Sequence, residues 1–235
     1  MSDSENRFYP YNKVYEGYID LSKTTDMPKM IADYLLDMPR GNGYNPPDDN
    51  TYPRCRFWKY LYYDEEMPLE KSLPTPKQKK SVLFSTDSPT KAPTKKGYRI
   101  FPQIYIPQAQ SEAQTRLYIY MGRTIADSDY KVQISIICDI WTNTNYESNT
   151  KSFDSYSRLF AMEQALIECL SGVNIRGTGT FYFNRSRHPD CGSMPIRNEE
   201  NIGRRVVFGL EVTAEQPTGG IENNGVEIGN GLFMG

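Results

Sequence analysis

The stretch "YKVQISIICDIWTN", residues 130–143, decides the fold of this 235-residue chain. Apolar and polar side chains alternate along it, which is the period of a β-strand that buries one face. The side chains on the predicted core face are those of Val132, Ile134, Ile136, Cys138 and Ile140. Those on the other face include Lys131, Gln133, Ser135 and Asp139. We therefore predict one unusually long strand with a core on one side and polar groups on the other.

The segments around this strand predict a sheet that packs against a helix. "RLYIYMGRTI", residues 116–125, alternates in the same way, and the turn residues of "ADSD" join the two strands as a hairpin. Residues 152–172 carry an apolar stripe at helical spacing, with Arg158 and Glu163 toward the other side. Two more strands are predicted in "GTGTFYFNRSR" and "GRRVVFGLEVTAE", and the segment between them, "HPDCGSMPIRNEEN", is predicted to be a loop.

The N-terminal half of the chain gives weaker signals. "DMPKMIADYLLDMP" predicts a short helix with Asp26 as its cap, and "RFWKYLYYDEE" predicts a strand because it is rich in aromatic residues. "YRIFPQIYIP" reads as an edge strand because its two prolines cannot donate ladder hydrogen bonds. The whole pattern predicts an α+β fold, in which a small antiparallel sheet packs against one long and one short helix.

The domain boundaries follow from composition. Residues 27–215 are predicted to form one domain, flanked by extended arms at residues 1–26 and 216–235. Residues 67–97 form a long insert dense in Pro, Ser, Thr and Lys, interpreted either as a solvated mobile loop or as an arm that docks on a neighbour by adding a strand. The docking residues of that arm would be Val82, Leu83 and Phe84. Its candidate contacts with acidic protein or nucleic acid are Lys77, Lys79, Lys80, Lys95 and Lys96.

Both terminal arms carry apolar side chains that suit an interface. The candidate contacts in the N-terminal arm are Phe8, Tyr9, Tyr11 and Tyr15. Those in the C-terminal arm are Ile221, Val226, Ile228, Leu232, Phe233 and Met234. The C-terminal arm is either a frayed terminus or a strap that docks on a neighbour.

Composition narrows the function classes. The formal net charge is -2, with 27 basic against 29 acidic residues, so no global field attracts nucleic acid or a membrane surface. The four cysteines form no CxxC pair, the N-terminus does not read as a signal peptide, and no apolar run is long enough to span a bilayer. These features predict a soluble protein made in a reducing cytoplasm. The 18 tyrosines favour contact surfaces.

No catalytic, metal or cofactor motif is found. His188 is the single histidine, and with Asp190 and Cys191 it would give only part of a metal site. "GTGT", residues 177–180, precedes a strand and lacks the Lys-Ser/Thr of a phosphate-binding loop. We therefore predict no catalytic residues, no bound metal and no cofactor.

The order of elements resembles the tail terminator and tail completion proteins of tailed bacteriophages. The residues that carry the resemblance lie between about Tyr98 and Glu215, chiefly "VQISIICDIWTN", "SYSRLFAMEQALIECLSG" and "RRVVFGLEVTAE". The arms and the use of Tyr, Asn and Lys are most similar to neck ring proteins of crAss-like phages. The insert and both termini exceed the compact core of that family.

The resemblance implies a structural virion protein that forms a homo-oligomeric ring at the head-tail neck or the tail end. Its partners would be copies of itself in a hexamer or dodecamer and other phage neck, portal-adaptor or tail proteins. DNA would be met only as it passes the lumen, and no membrane is involved. The protein would be synthesised in the host bacterial cytoplasm and reside in the virion.

Two other classes stay open on the sequence. A cytosolic peptide-binding or adaptor module would use the insert as a ligand segment and behave as a stable monomer. An enzyme would require the loop that begins at His188 to meet the polar run "TNTNYESNT" in a cleft.

Overall fold

The structure is a computed structural model. It describes residues 22–36, 48–64, 67–84, 97–104, 114–128, 131–143, 157–175, 179–198 and 201–213. The predicted contact residues of the N-terminal arm and the C-terminal arm lie outside these ranges, as do Lys95 and Lys96.

Five helices, one 3₁₀ turn and six strands make up the described part of the chain. The α-helices are α1 (Ser22–Thr25), α2 (Met27–Leu36), α3 (Pro53–Tyr62), α4 (Pro76–Ser81) and α5 (Arg158–Leu170), and the 3₁₀ turn spans Pro68–Glu70. The strands are β1 (Ile100–Phe101), β2 (Arg116–Ser128), β3 (Lys131–Asn143), β4 (Thr180–Tyr182), β5 (Gly192–Arg197) and β6 (Asn201–Thr213).

All six strands belong to one sheet. Their order is β1-β2-β3-β6-β4, and β5 pairs with β6 on the same side as β4. The predicted hairpin is confirmed as β2 and β3, and β3 pairs with β6 along its whole length, from Lys131 opposite Thr213 to Asn143 opposite Asn201. The α+β class is therefore confirmed. The sheet is mixed rather than wholly antiparallel, because β1 runs parallel to β2.

The main core lies between one face of this sheet and the helices. The five predicted core side chains of β3, from Val132 to Ile140, are all buried there with the apolar stripe of α5. Helix α2 is confirmed close to its predicted bounds, and Leu35 within it accepts a hydrogen bond of 2.8 Å from the Trp58 indole. Burial of side chains from the sheet and the helices together stabilises the domain, because removing apolar surface from water is the dominant favourable term in folding.

Residues 53–62 form helix α3, so the predicted strand in "RFWKYLYYDEE" is wrong. Pro53 stands in the first turn, where its missing N–H costs no helical hydrogen bond. Phe57, Trp58 and Leu61 follow at helical spacing and are all fully buried. The strand preference of aromatic residues is largely a packing effect, and here their packing against α2 and α5 suits a helix better.

The first half of the predicted insert is ordered, which corrects the expectation of a structureless loop. Thr75 and Gln78 form a reciprocal capping box that starts α4. Beyond α4, Val82 is buried in the main core and Leu83 forms a parallel bridge with Ile100. The segment thus adds a strand-like pairing to its own sheet, not to a neighbour.

Three smaller expectations are also corrected. Helix α1 lies within the predicted N-terminal arm, and β5 lies within the predicted loop between the last two strands. Arg158 and Glu163 point into the protein: Arg158 donates a 2.7 Å hydrogen bond to the Tyr60 carbonyl, and Glu163 pairs with Arg204 at 2.6 Å. A helix stripe shows which side is most apolar, but buried charges that find partners broaden the packed face.

Candidate interaction surface

We call the face of the sheet opposite the helices the outer face. It carries several buried polar side chains. On β3 it is formed by Gln133, Ser135, Ile137, Asp139 and Trp141. The sequence predicts polar groups on this side of β3, yet Ser135 and Asp139 are each only 1% exposed. The outer face is therefore a second packed layer, made of aromatic and polar groups.

An aromatic cluster fills one end of the outer face. Phe101, Tyr118 and Trp141 are its buried members, with Phe84 and Ile196 packed against them. The rings of Phe84 and Phe101 are stacked at 5.6 Å, and those of Phe101 and Tyr118 at 4.9 Å. Phe84, a predicted interface residue, is thus used within its own chain.

Beside this cluster, Asp139 lies at the centre of a buried polar network. Arg205 donates to both carboxylate oxygens of Asp139 at 2.8 Å, and the Tyr120 hydroxyl donates to the same carboxylate at 2.8 Å. Arg205 also donates to the Tyr120 hydroxyl at 2.9 Å. Burial raises the pKa of Tyr120, and the neighbouring Asp139 carboxylate raises it further. The bond to Asp139 likewise raises the pKa of Arg205, so Tyr120 stays neutral and Arg205 stays charged near pH 7.

Further along the outer face, the segment Asn184–Cys191 folds back over the sheet and packs against Gly209 of β6. A Cβ atom on Gly209 would overlap the Tyr182 ring and approach the His188 Cβ to 2.8 Å. His188 is fully buried there. Gly209 therefore creates the space in which this segment, called here the His188 loop, is seated.

Ser135, His188 and Asp190 meet under the His188 loop, but not in the arrangement of a hydrolytic triad. The Asp190 backbone N–H donates to His188 Nδ1 at 3.2 Å, which assigns the imidazole proton to Nε2. Nε2 lies 3.4 Å from Ser135 Oγ, and the Ser135 hydroxyl donates to Asp190 at 2.9 Å. The imidazole has no lone pair aimed at the serine proton, so it is not placed to act as that serine's base.

The protonation of His188 agrees with this geometry. Burial lowers the pKa of His188 and the nearby Arg123 guanidinium also lowers it, while Asp190 acts in the opposite direction. Asp190 itself is held by Arg123, whose Nε and Nη2 atoms donate to its two oxygens at 3.1 and 3.0 Å. The chain of hydrogen bonds from His188 through Ser135 and Asp190 to Arg123 fixes the loop on the sheet.

The cysteines offer no activated nucleophile. None of the four forms a disulfide, and all four are buried. Burial raises the pKa of Cys169 to about 12, and it also raises the pKa values of Cys138 and Cys191. A thiol becomes reactive when its pKa falls, so these side chains are set for packing.

An open cleft of about 500 Å³ lies next to the His188 loop on the outer face. We call it the outer cleft. Ile137 and Val207 contribute apolar surface, and Met194 of β5 lies on the wall with 49% of its surface exposed. Arg123, whose side chain is 57% exposed, and Arg185 add positive charge, while Asp190 is the acidic group. This combination of apolar surface with convergent charges is typical of a binding site.

The predicted basic contacts separate into two kinds within the described residues. Lys77 and Lys80 lie on exposed positions of α4. Lys79 is 1% exposed, and its ammonium group lies 5.2 Å from the centre of the Trp58 ring. Lys79 is therefore not available to an acidic partner, which corrects the prediction for this residue. Burial lowers the pKa of Lys79 to about 8.

Three residues of the outer cleft, Arg123, Arg185 and Met194, were not predicted as site residues from the sequence. Arg123 follows Gly122 at an irregularity of β2 between Met121 and Thr124, where the register against β3 shifts. Met194 belongs to β5, a segment that was predicted to be a loop and that contains Pro195. A break in alternation and an edge strand with a proline are the two signals that mark the cleft.

No group of three or more His, Cys, Asp and Glu side chains among the described residues is placed to hold a metal ion. Over the same part of the chain, no helix has the length and apolarity required to cross a membrane.

The fold and the outer face define an α+β domain with a packed polar layer and an open cleft suited to binding. The model of the YomW family matches residues 56–208, which is most of the chain and covers the insert, α5 and most of the sheet. The chain belongs to the YomW family, a phage-type, Bacillus SPbeta-like family, and is thereby a phage-associated protein. No curated protein and no solved structure matches the chain significantly.

Proposed function

We propose that this phage-associated protein is a structural component of the virion, whose copies assemble into a ring at the head-tail neck or the tail end. The observation that carries the proposal is the character of the outer face. Its carboxylates Asp139 and Asp190 are tied to arginines in fixed pairs, whereas Met194 and the exposed Arg123 and Arg185 line an open cleft. Such a surface is suited to holding a partner and offers no group poised for chemistry.

The sheet edges suit an assembly that closes without stacking strands. Strand β1 has two residues, β4 has three, and β5 carries Pro195 in its middle. Short edges and a proline discourage open-ended pairing with further copies. A ring held by side chains and arms would close by rotation and avoid fibres. The resemblance of the element order to tail terminator proteins supports the same role.

The ring is tested by measuring the mass of the purified chain with light scattering and imaging the same fraction in negative stain. Closed rings of one size, such as hexamers or dodecamers, are the expected result, and they fix the copy number. A chain that stays monomeric at the highest concentration measured, alone and with other neck or tail proteins of the same phage, would contradict the proposal. Such a monomer would favour the hypothesis that the protein is an adaptor module.

Deletion of residues 215–235 tests whether the C-terminal arm contributes to assembly. The deletion begins beyond the last residue of β6, so we expect the circular dichroism spectrum and the thermal transition to change little. Rings should weaken and dissociate at higher protein concentration than rings of the full chain. Deletion of residues 1–21 is the matched comparison, because it removes the other arm. Normal rings after the C-terminal deletion would count against the strap.

A further inference from the structure

The outer cleft combines three properties that select the chemistry of an occupant. It offers apolar surface from Ile137, Val207 and the half-exposed Met194. Its net charge is positive, because Asp190 is paired with Arg123 and the exposed Arg185 is in excess. Its volume of about 500 Å³ accommodates several side chains of an extended segment. The matching ligand is a peptide in which aliphatic or aromatic residues alternate with carboxylates.

The chain itself contains such a peptide after β6. Residues 216–235 include Glu222 and Glu227 and have no lysine or arginine. Apolar side chains are spaced between and beyond these carboxylates: Ile221, Val226, Ile228, Leu232, Phe233 and Met234. Its glycines and asparagines give it little helix propensity and favour extended binding. The segment is complementary to the outer cleft in both charge and hydrophobicity.

Along β6, the packing of Tyr182 and His188 at Gly209 lies between the cleft residue Val207 and the end of the strand at Thr213. Strand β6 ends at Thr213, opposite Lys131 at the start of β3. The direct path from there back along the outer face is filled by Tyr182 and His188 over Gly209, and Pro189 and Asp190 of the same loop wall the cleft. A segment arriving from another molecule does not have to pass over the His188 loop.

We propose that the outer cleft binds the C-terminal segment, residues 216–235, of a second copy of the chain. The inference rests on the proposed function for the identity of the partner, since a ring places a second copy beside every cleft. Each copy would give one segment and receive one, which is the head-to-tail contact that rotational symmetry requires. The cleft would thereby supply the receptor for the C-terminal arm.

The test places a photo-crosslinking phenylalanine analogue at position 194 of the full chain. This protein is mixed with an equal amount of isotopically heavy, otherwise unsubstituted chain, allowed to exchange, irradiated and digested for mass spectrometry. We expect crosslinks from position 194 to peptides of residues 216–235, with the heavy form well represented. The control places the same analogue at Arg197, which is on the same strand but on the opposite face of the sheet, and should give few such crosslinks.

A second variant ties the crosslink to the charge of the cleft. Arg185 lies at an exposed position of the His188 loop. Arg185→Glu should lower the yield of heavy crosslinks about tenfold, because it places an acidic group against Glu222 and Glu227. Arg197→Glu is its matched control and should leave the yield unchanged. Circular dichroism of both variants checks that each remains folded.

The outcomes separate this inference from the proposed ring. Heavy crosslinks to residues 216–235 support the assignment even if only dimers form. Crosslinks to the light segment alone would show that each chain fills its own cleft and would overturn the second copy as occupant. Crosslinks to other segments, or equal yields from positions 194 and 197, would overturn the cleft as the receptor while leaving rings intact.

Discussion

Asp139 and Arg205 face each other across β3 and β6 and form a two-point ion pair on the outer face of the sheet. Asp139 is 1% exposed, while the side chain of Arg205 keeps 36% of its surface in solvent. In this pair the Asp139 carboxylate is therefore buried, whereas the Arg205 guanidinium is partly exposed to solvent. This asymmetry decides which partner is harder to remove.

Asp139→Ala should destabilise the domain by about 2–4 kcal/mol, because it leaves the Arg205 guanidinium and the Tyr120 hydroxyl without their shared acceptor. The partial exposure of Arg205 keeps the expected loss near the lower part of the range for a buried pair. Urea unfolding at pH 7 measures the change. The double variant Asp139→Leu with Arg205→Met is the control, and it should be more stable than Asp139→Ala. Equal stability would show that the pair is not coupled.

Lys79→Met should stabilise the protein at pH 7. The pKa of Lys79 in the folded protein is about 8, below its ordinary value of 10.5, so folding at pH 7 carries the cost of burying the charged form. That shift corresponds to at most about 3 kcal/mol. Since the unfolded chain binds the proton more tightly, the wild-type protein regains stability as the pH rises through about 8 toward 10.5.

The measurement for Lys79 is the difference in unfolding free energy between variant and wild type. It should be largest near pH 7 and shrink by pH 9.5. Taking the difference cancels the opposite contributions of the buried cysteine thiols, which titrate in the same range in both proteins. Lys80→Met, on the exposed side of α4, is the matched control and should show no such pH dependence. A constant difference would contradict the explanation.

Gly209→Ala should destabilise the domain by about 1–3 kcal/mol, because the new methyl group overlaps the Tyr182 ring and presses on His188. Gly122→Ala is the comparison on the same face. There the nearest atom is the flexible end of Ile137, at 2.8 Å, so the cost should be smaller. Thermal unfolding ranks the two. The double variant Gly209→Ala with Tyr182→Ala should lose less stability than the sum of the two single losses, and additive losses would place the strain elsewhere.

His188 should make the protein acid-sensitive. Burial lowers its pKa in the folded state below the ordinary 6.5, so the folded protein binds this proton less readily than the unfolded chain does. Stability contributed by the neutral imidazole is complete above about pH 6.5 and is lost as the pH falls below that value. His188→Gln keeps an amide in the site and should unfold at a urea midpoint that changes less between pH 7.5 and 5.5. Equal changes of the urea midpoint in both proteins would contradict the assignment of this acid sensitivity to His188.

The regular part of the fold could be predicted from local pattern. The alternation from Val132 to Ile140 fixed the core face of β3, and the spacing of Leu159, Met162 and Leu166 fixed that of α5. Both are long segments in which one side is apolar, which is where periodicity is most informative. The hairpin followed because the turn between β2 and β3 is short.

The outer face could not be predicted, because alternation shows where a side chain points and not what covers it. Ser135 and Asp139 have the sequence appearance of solvated residues, and their partners Asp190 and Arg205 lie more than fifty positions away. The burial of Lys79 could not be predicted for a related reason. Lysine is rarely buried, and the packing of Lys79 against Trp58 is visible only in the structure. The contact residues proposed for both arms stay predictions, as they lie outside the described residues.

The full-length pairing of β3 with β6 also bears on how the chain folds during synthesis. Strand β3 is made well before β6, so its edge has to wait for a partner strand that leaves the ribosome later. Contacts between distant parts of a chain are slow to form, because the entropy of loop closure is lost before these contacts stabilise the fold. The nascent protein therefore depends on β6, and premature termination before Asn201 would release a chain in which β3 is unpaired on one side.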